Sequence, residues 1–394
     1  MQYKLEDICL KITDGSHYSP SDDFNSDIPM LSVKDMDEFD FNYDNCKHIS
    51  EEEYDKMLRN DCVPKLYDVL VAKDGSYLKE IFVNEKETKK AILSSIAIFR
   101  PNQEIVDSYF LCYLLKTPII LNYVKDNCVS GSALPRIVLR AFKEIKLTIP
   151  NLEIQKKIVK IVKNINSKIR INNQINDNLF KLAINYLNDK KEDTEVPVSK
   201  FAKIQGGYAF KSKDLIDNKT ENRIIKIKNL RSELNADVTN SQFVEDEVAN
   251  NIDSKFKLNK GDVTIAMTGA ELGKTGFIYG FDKYYLNQRV GVIRGKNKEG
   301  DLYLKILFLS DEFQILLNSK GYGSAQPNIS TSDIESILVN DITEENLKDI
   351  YERLNAIYYR IISNCEENIK LEQLRDTLLP KLMNGEIDLD KIEI

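Results

Sequence analysis

The segment whose spacing is closest to a catalytic motif is Gly269-Ala270-Glu271-Leu272-Gly273-Lys274-Thr275, which follows a strand-like apolar run. A glycine-rich loop ending in Lys-Thr would bind the phosphates of a nucleotide, but such a loop has four residues between its glycines and this one has three. The residues that follow it, 276–280, are typical of a returning strand, whereas a phosphate loop opens a helix. We therefore expect a hairpin here, and Lys274 is not assigned to ATP.

Other residues that could bind a metal or take part in catalysis are few and are scattered along the sequence. The six cysteines include no Cys-x-x-Cys pair, and with only His17 and His48 as histidines we expect free thiols and no structural zinc site. All ten prolines stand alone, so the Asn-Pro-Pro-Tyr and Asp-Pro-Pro-Tyr motifs of amino-methyltransferases are absent. The sequence predicts a chain with no catalytic residues, no bound metal and no bound cofactor.

Length and composition indicate how many domains the chain can form and which class of protein it belongs to. The chain has 394 residues, of which 42% are hydrophobic and 30% are charged, enough to bury the cores of two or three domains. No apolar run approaches the roughly 18 residues of a membrane-spanning helix, and the first residues lack the pattern of a secretion signal. We expect a soluble cytoplasmic protein.

The chain contains an internal repeat. Residues 131–190 align without gaps with residues 323–382, at an offset of 192 and with 16 identities in 60 positions. Two upstream segments align at an offset of 194: residues 28–36 with 222–230, and residues 67–72 with 261–266. Between these segments the halves diverge, which indicates one scaffold used twice for two different targets.

Each half begins with short alternating apolar runs and continues into a long segment with helical periodicity. We expect an α+β protein with two mixed α/β domains joined by two long helices. The predicted boundaries are 1–150 for the first domain, 151–188 for the first helix, 189–197 for a polar linker, 198–342 for the second domain, 343–383 for the second helix and 384–394 for a tail.

The two long helices are predicted to pair with each other in antiparallel orientation. Residues 151–190 carry 8 basic and 3 acidic groups, and residues 341–394 carry 7 and 13, so the two segments have opposite charge. Four asparagines interrupt the apolar stripes at matching positions and are predicted to fix the register and a pseudo-two-fold axis: Asn172, Asn176, Asn364 and Asn368. In the alternative, each stripe packs on its own domain and the asparagines reach solvent.

Several duplicated motifs resemble the specificity subunit of a type I restriction–modification system. The segment Gly-Ser-Ala-x-Pro occurs at residues 131–135 and 323–327, and the first copy leads into Ile145-Lys146-Leu147-Thr148-Ile149-Pro150. The ending Leu378-Leu379-Pro380-Lys381-Leu382-Met383-Asn384-Gly385 is also typical of that family. One departure is that Val339-Asn340-Asp341-Ile342 replaces the usual apolar-Pro entry of the second helix.

The resemblance implies a non-catalytic DNA-recognition subunit. Each recognition domain would bind one half of a bipartite, asymmetric DNA target, and the helices would set the gap between the halves. The helices would also dock two methyltransferase subunits that use S-adenosylmethionine, and these would recruit motor-endonuclease subunits that use ATP and Mg²⁺. Two alternatives stay open: the specificity subunit of a methylation-only or related system, and a coiled-coil assembly scaffold that does not bind DNA.

The net charge bears on how such a subunit would bind DNA. At −7, with a pI near 5.3, the chain has little of the positive charge that drives binding to phosphates. We expect weak DNA binding by the isolated chain, with partners supplying many phosphate contacts. A scaffold without DNA would show the same totals.

Candidate DNA contacts lie in short polar segments that follow predicted strands, because these can bring hydrogen-bonding groups to base edges and phosphates. In the first domain they are Thr13, Gly15, Ser16, Lys73, Ser76, Tyr77, Ser132 and Arg136. In the second domain they are Gly207, Tyr208, Lys274, Asn287, Gln288, Arg289, Ser324, Gln326 and Asn328. The same segments are also typical of ordinary hairpin turns.

Overall fold

The chain forms two compact units in a computed structural model that describes residues 2–74, 78–130, 136–230, 234–319 and 328–389. The first unit comprises residues 1–166 and 373–394, and the second comprises residues 167–372. We call the α/β part of the first unit, residues 2–148, the first module. The corresponding part of the second unit, residues 195–340, is the second module.

The first unit contains eleven strands in its described residues: β1 (Gln2–Lys4), β2 (Cys9–Asp14), β3 (Ile28–Leu31), β4 (Lys47–Ile49), β5 (Val69–Ala72), β6 (Ile81–Val83), β7 (Ala91–Ile92), β8 (Ile96–Pro101), β9 (Val129–Ser130), β10 (Arg136–Ile137) and β11 (Lys146–Thr148). The described strands of the second unit are β12 (Glu195–Pro197), β13 (Ala202–Gly206), β14 (Asn222–Ile225), β15 (Gln242–Phe243), β16 (Lys257–Leu258), β17 (Val263–Ala266), β18 (Thr275–Phe277), β19 (Lys283–Leu286), β20 (Val290–Gly295) and β21 (Leu338–Asn340).

The described α-helices include two that are far longer than the rest. The short ones are α1 (Glu51–Arg59), α2 (Ser108–Leu115), α3 (Pro118–Asn127), α4 (Leu139–Lys143), α6 (Asp246–Asn250), α7 (Lys298–Phe308), α8 (Asp311–Ser319) and α9 (Thr331–Glu335). The long ones are α5 (Leu152–Asn188) and α10 (Glu344–Met383). Helix α10 ends just before Gly385, whose φ of 70° suits the left-handed residue that commonly follows a helix. None of the described helices is long and apolar enough to cross a membrane.

Both modules have the same strand order, as the sequence repeat predicts. In the first, a four-stranded antiparallel sheet has the order β2-β8-β5-β6, and a second sheet has the order β4-β3-β7 with β3 and β7 parallel. In the second, the order β13-β20-β17-β18 repeats the first sheet, and β15-β14-β19, again with a parallel pair, repeats the other with β16 added. The predicted α+β class with two mixed modules and two long helices is confirmed.

The N-terminal strand of each module pairs with the strand that precedes its long helix. Strand β1 pairs with β11, and β12 pairs with β21, both antiparallel. The linker predicted at 189–197 therefore ends in a strand, because residues 195–197 are hydrogen-bonded into the second module. A polar, charged sequence that ends in proline indicated a linker, but pairing with β21 draws its last residues into the fold.

Each module also contains an arginine–aspartate pair with a buried carboxylate, at equivalent positions. In the first, Arg100 donates two hydrogen bonds of 2.9 Å to Asp68, which is 1% exposed, and a third of 3.0 Å to Asp61. In the second, Arg294 donates to Asp262 at 2.5 Å. The first pair joins β8 to the start of β5, so it holds the central strands of that sheet together.

The two aspartates that pair with Arg100 have pKa values that their surroundings shift in opposite directions. Burial raises the pKa of Asp68 despite the adjacent Arg100. Burial would also raise the pKa of Asp61, but hydrogen bonds from Lys11, Arg100 and Lys65 outweigh burial and hold that pKa below its usual range. The buried carboxylate of Asp68 therefore depends on the neighbouring cations to stay charged.

Candidate nucleic-acid interface

Four polar segments of the first module meet at one end of its four-stranded sheet. Lys73, after β5, donates its side chain to Asp14 at the end of β2 (Nζ to Oδ2, 2.7 Å) and its backbone amide to the carbonyl of Ser95 (2.9 Å). The carbonyl of Lys73 in turn accepts from the amide of Ile137, in β10 (3.0 Å). We call residues 13–16, 73–74, 93–95 and 136 the first loop cluster.

The second module builds the same arrangement with the same backbone hydrogen bonds. The amide of Met267 donates to Arg289 (2.9 Å), and the carbonyl of Met267 accepts from Ile329 (2.9 Å). The amide of Gln288 donates to the carbonyl of Tyr208 (2.7 Å), as the amide of its counterpart Ser94 donates to Ser16. We call residues 206–208, 267–268, 287–289 and 328 the second loop cluster.

The two candidate glycines are required by close backbone contacts. A Cβ atom on Gly15 would lie 2.3 Å from the carbonyl oxygen of Ile92, and one on Gly207 would lie 2.0 Å from that of Asn287. The amide of Gly15 also donates to Ile96 (3.0 Å), so it is not available to a phosphate. Both glycines allow two chain segments to cross, and their recurrence at the 192-residue offset is the signal that could have indicated this role.

Several other candidates in the first module also have structural partners. Lys73 is 11% exposed in its ion pair with Asp14. Ser16 is buried, and its hydroxyl donates to the carbonyl of Tyr18 (2.7 Å). Thr13 is half-buried in β2. Contact of these three side chains with DNA stays a prediction, and in the structure Lys73 and Ser16 are bonded to neighbouring loop residues.

Lys274 lies in the hairpin predicted from the spacing of its glycines. Strands β17 and β18 are antiparallel, with Thr264 opposite Gly276, so a strand and not a helix follows the loop. The side chain of Lys274 forms an ion pair with Glu271 within the turn. The loop therefore does not lead into the helix N-terminus whose amides bind phosphate in a phosphate loop.

The remaining described candidates are accessible. Arg136 is 66% exposed, with its Nε 3.5 Å from Oδ2 of Asp74. Gln288, Arg289 and Asn328 are exposed, and Asn287 is half-buried. Tyr208, 37% exposed, packs edge-on against Phe210 and Phe256. The candidates Ser76, Tyr77, Ser132, Ser324 and Gln326 lie outside the described residues.

The two loop clusters share a backbone arrangement but differ in the charge of their side chains. Four charged residues of the first cluster have neutral counterparts in the second: Asp14 becomes Gly206, Lys73 becomes Met267, Asp74 becomes Thr268 and Arg136 becomes Asn328. Asp74 was not among the predicted contacts, although it pairs with Arg136 in a backbone bridge at the position where Thr268 pairs with Asn328. Sites with one backbone and unlike side chains are suited to binding different surfaces.

The four asparagines predicted to set the helix register meet inside the second unit. Asn172 donates to Asn368 (2.8 Å), and Asn364 donates to Asn176 (2.8 Å), with all four side chains buried. The partners run in opposite directions along α5 and α10, so these segments are antiparallel. The alternative in which the asparagines reach solvent does not hold.

These contacts follow the sequence repeat. Because Asn172 corresponds to Asn364 and Asn176 to Asn368, the two amide contacts are equivalent under the repeat. A further equivalent pair flanks them: the amide of Asn368 donates to Asn173 (2.7 Å), and that of Asn176 contacts the thiol of Cys365 (3.4 Å). The asparagine contacts therefore have local two-fold character.

Opposite charges also meet along the helix pair and just beyond the end of α5. Lys168 and Glu367 form an ion pair (3.3 Å), as do Lys190 and Asp349 (2.7 Å). A hydrogen bond from Asn172, together with Lys168, keeps the pKa of Glu367 below its ordinary value, against a smaller effect of burial. Residues of the two oppositely charged segments therefore form ion pairs with each other.

Removing one partner of a buried amide contact should destabilise the helix pair more than removing both. We expect Asn176→Leu to lower the free energy of unfolding by about 1–3 kcal/mol, because the side-chain amide of Asn364 loses its acceptor in a buried site. The double variant Asn176→Leu/Asn364→Leu should recover much of that loss, and exposed Asn185→Leu should have little effect. Denaturant unfolding of all variants measures the coupling energy, and additive losses would contradict the contact.

Comparison with known proteins gives a consistent result. A family model described as the type I restriction modification DNA specificity domain matches residues 1–180 and again residues 191–373. The specificity subunit of type I restriction enzyme MjaVIII from Methanocaldococcus jannaschii is 27% identical over 358 residues, covering 84% of this chain and 82% of that protein. The MjaIX specificity subunit of the same organism is 22% identical over 398 residues, covering 94% and 89%.

A solved structure shows the same fold. The crystal structure of the type I restriction–modification system S subunit from M. genitalium superposes with a TM-score of 0.53, covering 97% of this chain and 95% of that one. The two sequences are 13% identical, so this likeness concerns the fold alone.

Proposed function

Because the chain belongs to the family of type I restriction–modification DNA specificity domains, we propose that it is the DNA-recognition subunit of such a system. In this proposal each module binds one half of a bipartite, asymmetric target. The main support is the pair of loop clusters, which share a backbone arrangement but differ in charge and side chains. A protein that recognised two copies of one half-site would need no such difference.

The paired helices are proposed to set the gap between the half-sites. The buried asparagine contacts fix one register of α5 against α10, because a shift along the helices would leave their amides unpaired in an apolar interface. A fixed register makes the helix pair a spacer of constant length. A gap of constant length in the DNA target would follow.

The chemistry of the system is proposed to reside on partner subunits. Two methyltransferase subunits would use S-adenosylmethionine to methylate adenine N6, and motor-endonuclease subunits would use ATP and Mg²⁺. In the described residues, no cluster of three or more His, Cys, Asp or Glu side chains could hold a metal ion. The role proposed for this chain, which is recognition and positioning, needs no metal of its own.

Methylome sequencing of the host, with and without this gene, tests the proposed function. We expect one bipartite motif with a fixed unspecified gap and adenine methylation on both strands, and we expect it to disappear when the gene is deleted. A contiguous motif would contradict recognition by two modules. Deletion that left every methylated motif intact would overturn the proposal altogether.

A further inference from the structure

We propose that Arg289 recognises a guanine in the half-site bound by the second module. This inference rests on the proposed function and names a base that the second loop cluster selects. It is carried by the backbone conformation of Arg289, by its exposed side chain, and by the different use of the equivalent residue in the first module.

Arg289 occupies a turn position that favours glycine. Residues 287–290 form the turn between β19 and β20, closed by a hydrogen bond from the amide of Val290 to the carbonyl of Asn287 (3.1 Å). Arg289 is the third residue of this turn and has a φ of 77°. Glycine and asparagine adopt such a φ readily at this position, and arginine rarely does. The sequence therefore keeps an arginine where the backbone disfavours one.

The shared scaffold does not require this conformation. The equivalent turn of the first module, residues 93–96, is closed by the same hydrogen bond, from Ile96 to Leu93 (3.0 Å). Its third residue, Ser95, is not among the residues with positive φ. The hydroxyl of Ser95 accepts a hydrogen bond from the amide of Val33 (3.2 Å), so this side chain supports the fold. The strained arginine is thus particular to the second module.

The backbone of Arg289 is held firmly while its guanidinium stays available. Its carbonyl accepts from Met267, and the preceding amide donates to Tyr208. The side chain is exposed, and no carboxylate among the described residues pairs with it. By contrast, Arg223 and Arg294 of the same module are paired with Asp282 and Asp262. An unpaired guanidinium carried by a fixed backbone position is suited to a directional contact.

Guanine is the base whose edge matches a guanidinium. Its O6 and N7 both accept hydrogen bonds in the major groove, and arginine can donate to both at once. A phosphate can also accept two hydrogen bonds from arginine, but such a contact carries no sequence information, so the two partners differ in whether a substitution relaxes the required base. The side-chain amide of the exposed residue Gln288, beside Arg289, offers a second group that can bind base edges.

The test compares Arg289→Gly and Arg289→Lys in the complex with the methyltransferase subunits, with exposed Arg59→Lys of the first module as control. Arg289→Gly should keep or raise the melting temperature, because glycine adopts this φ without strain. Both variants should lose the requirement for one guanine, with discrimination at that base pair falling roughly 5- to 150-fold. The other half-site and the gap should stay unchanged, and Arg59→Lys should retain the full motif.

Three results would overturn the inference. The motif could stay unchanged in both variants, methylation could weaken while every base remained required (as for a phosphate contact), or Arg289→Gly could lower the melting temperature. Failure of the proposed function is distinguishable, because then the wild-type complex itself would give no bipartite motif. The motifs are determined by methylome sequencing of cells that carry each variant.

Discussion

Replacing Arg100 by methionine should destabilise the first module by about 3–5 kcal/mol. The substitution leaves the carboxylate of Asp68 buried without its ion-pair partner, and the remaining hydrogen bond from the backbone amide of Lys65 (2.8 Å) brings no charge to offset it. A buried charge that loses its partner costs far more than an exposed one, because water cannot solvate it. The double variant Arg100→Met/Asp68→Leu should recover much of the loss, since it removes both charges together.

The second module provides a matched comparison. Arg294→Met should cost less than Arg100→Met, because Arg294 is 30% exposed and Lys305 stays 3.8 Å from the same carboxylate of Asp262. Hydrogen exchange on the full chain resolves the two modules separately, so each variant serves as the internal control for the other. Equal losses in the two modules, or no loss for Arg100→Met, would contradict the assigned role of the first pair.

The sequence was sufficient to predict the elements that depend on periodicity and repetition. Apolar spacing predicted the two long helices, and the repeat predicted that both modules share one strand order. Both features are properties of patterns that extend over many residues, so a few divergent positions do not obscure them. The asparagines recurred within those patterns, which is why their contact could be anticipated.

Pairings between distant single residues could not be predicted in this way. Arg100 lies 32 residues from Asp68, and Lys73 lies 59 residues from Asp14, with nothing in the local pattern to connect them. Whether a loop lysine is exposed or ion-paired depends on that connection, so the availability of Lys73 could not be judged beforehand. The turn at Arg289 carries no glycine or asparagine at its third position, so its conformation had no sequence signal either.

Lengthening both helices at the asparagine contacts should lengthen the gap in the DNA target. Four residues inserted into each helix, after Gln174 in α5 and after Glu366 in α10, leave the contacts of Asn172 with Asn368 and of Asn176 with Asn364 intact on either side. Four residues make slightly more than one helical turn and add about 6 Å, close to two base-pair steps. The apolar stripes therefore stay nearly in phase.

Insertion into only one helix should instead be destabilising. It would move one set of asparagines past its partners and leave buried amides unpaired. A control insertion of four residues after Asn218, in an exposed loop of the second module, adds the same length without altering either helix. This control should retain the original gap.

The methylated motif of cells carrying the paired insertion tests the spacer directly. If the helices set the separation, methylome sequencing will show both half-sites unchanged and the unspecified gap longer by about two base pairs. An unchanged gap in a folded, active complex would show that the helices do not set the spacing, and altered half-sites would show that they take part in base recognition.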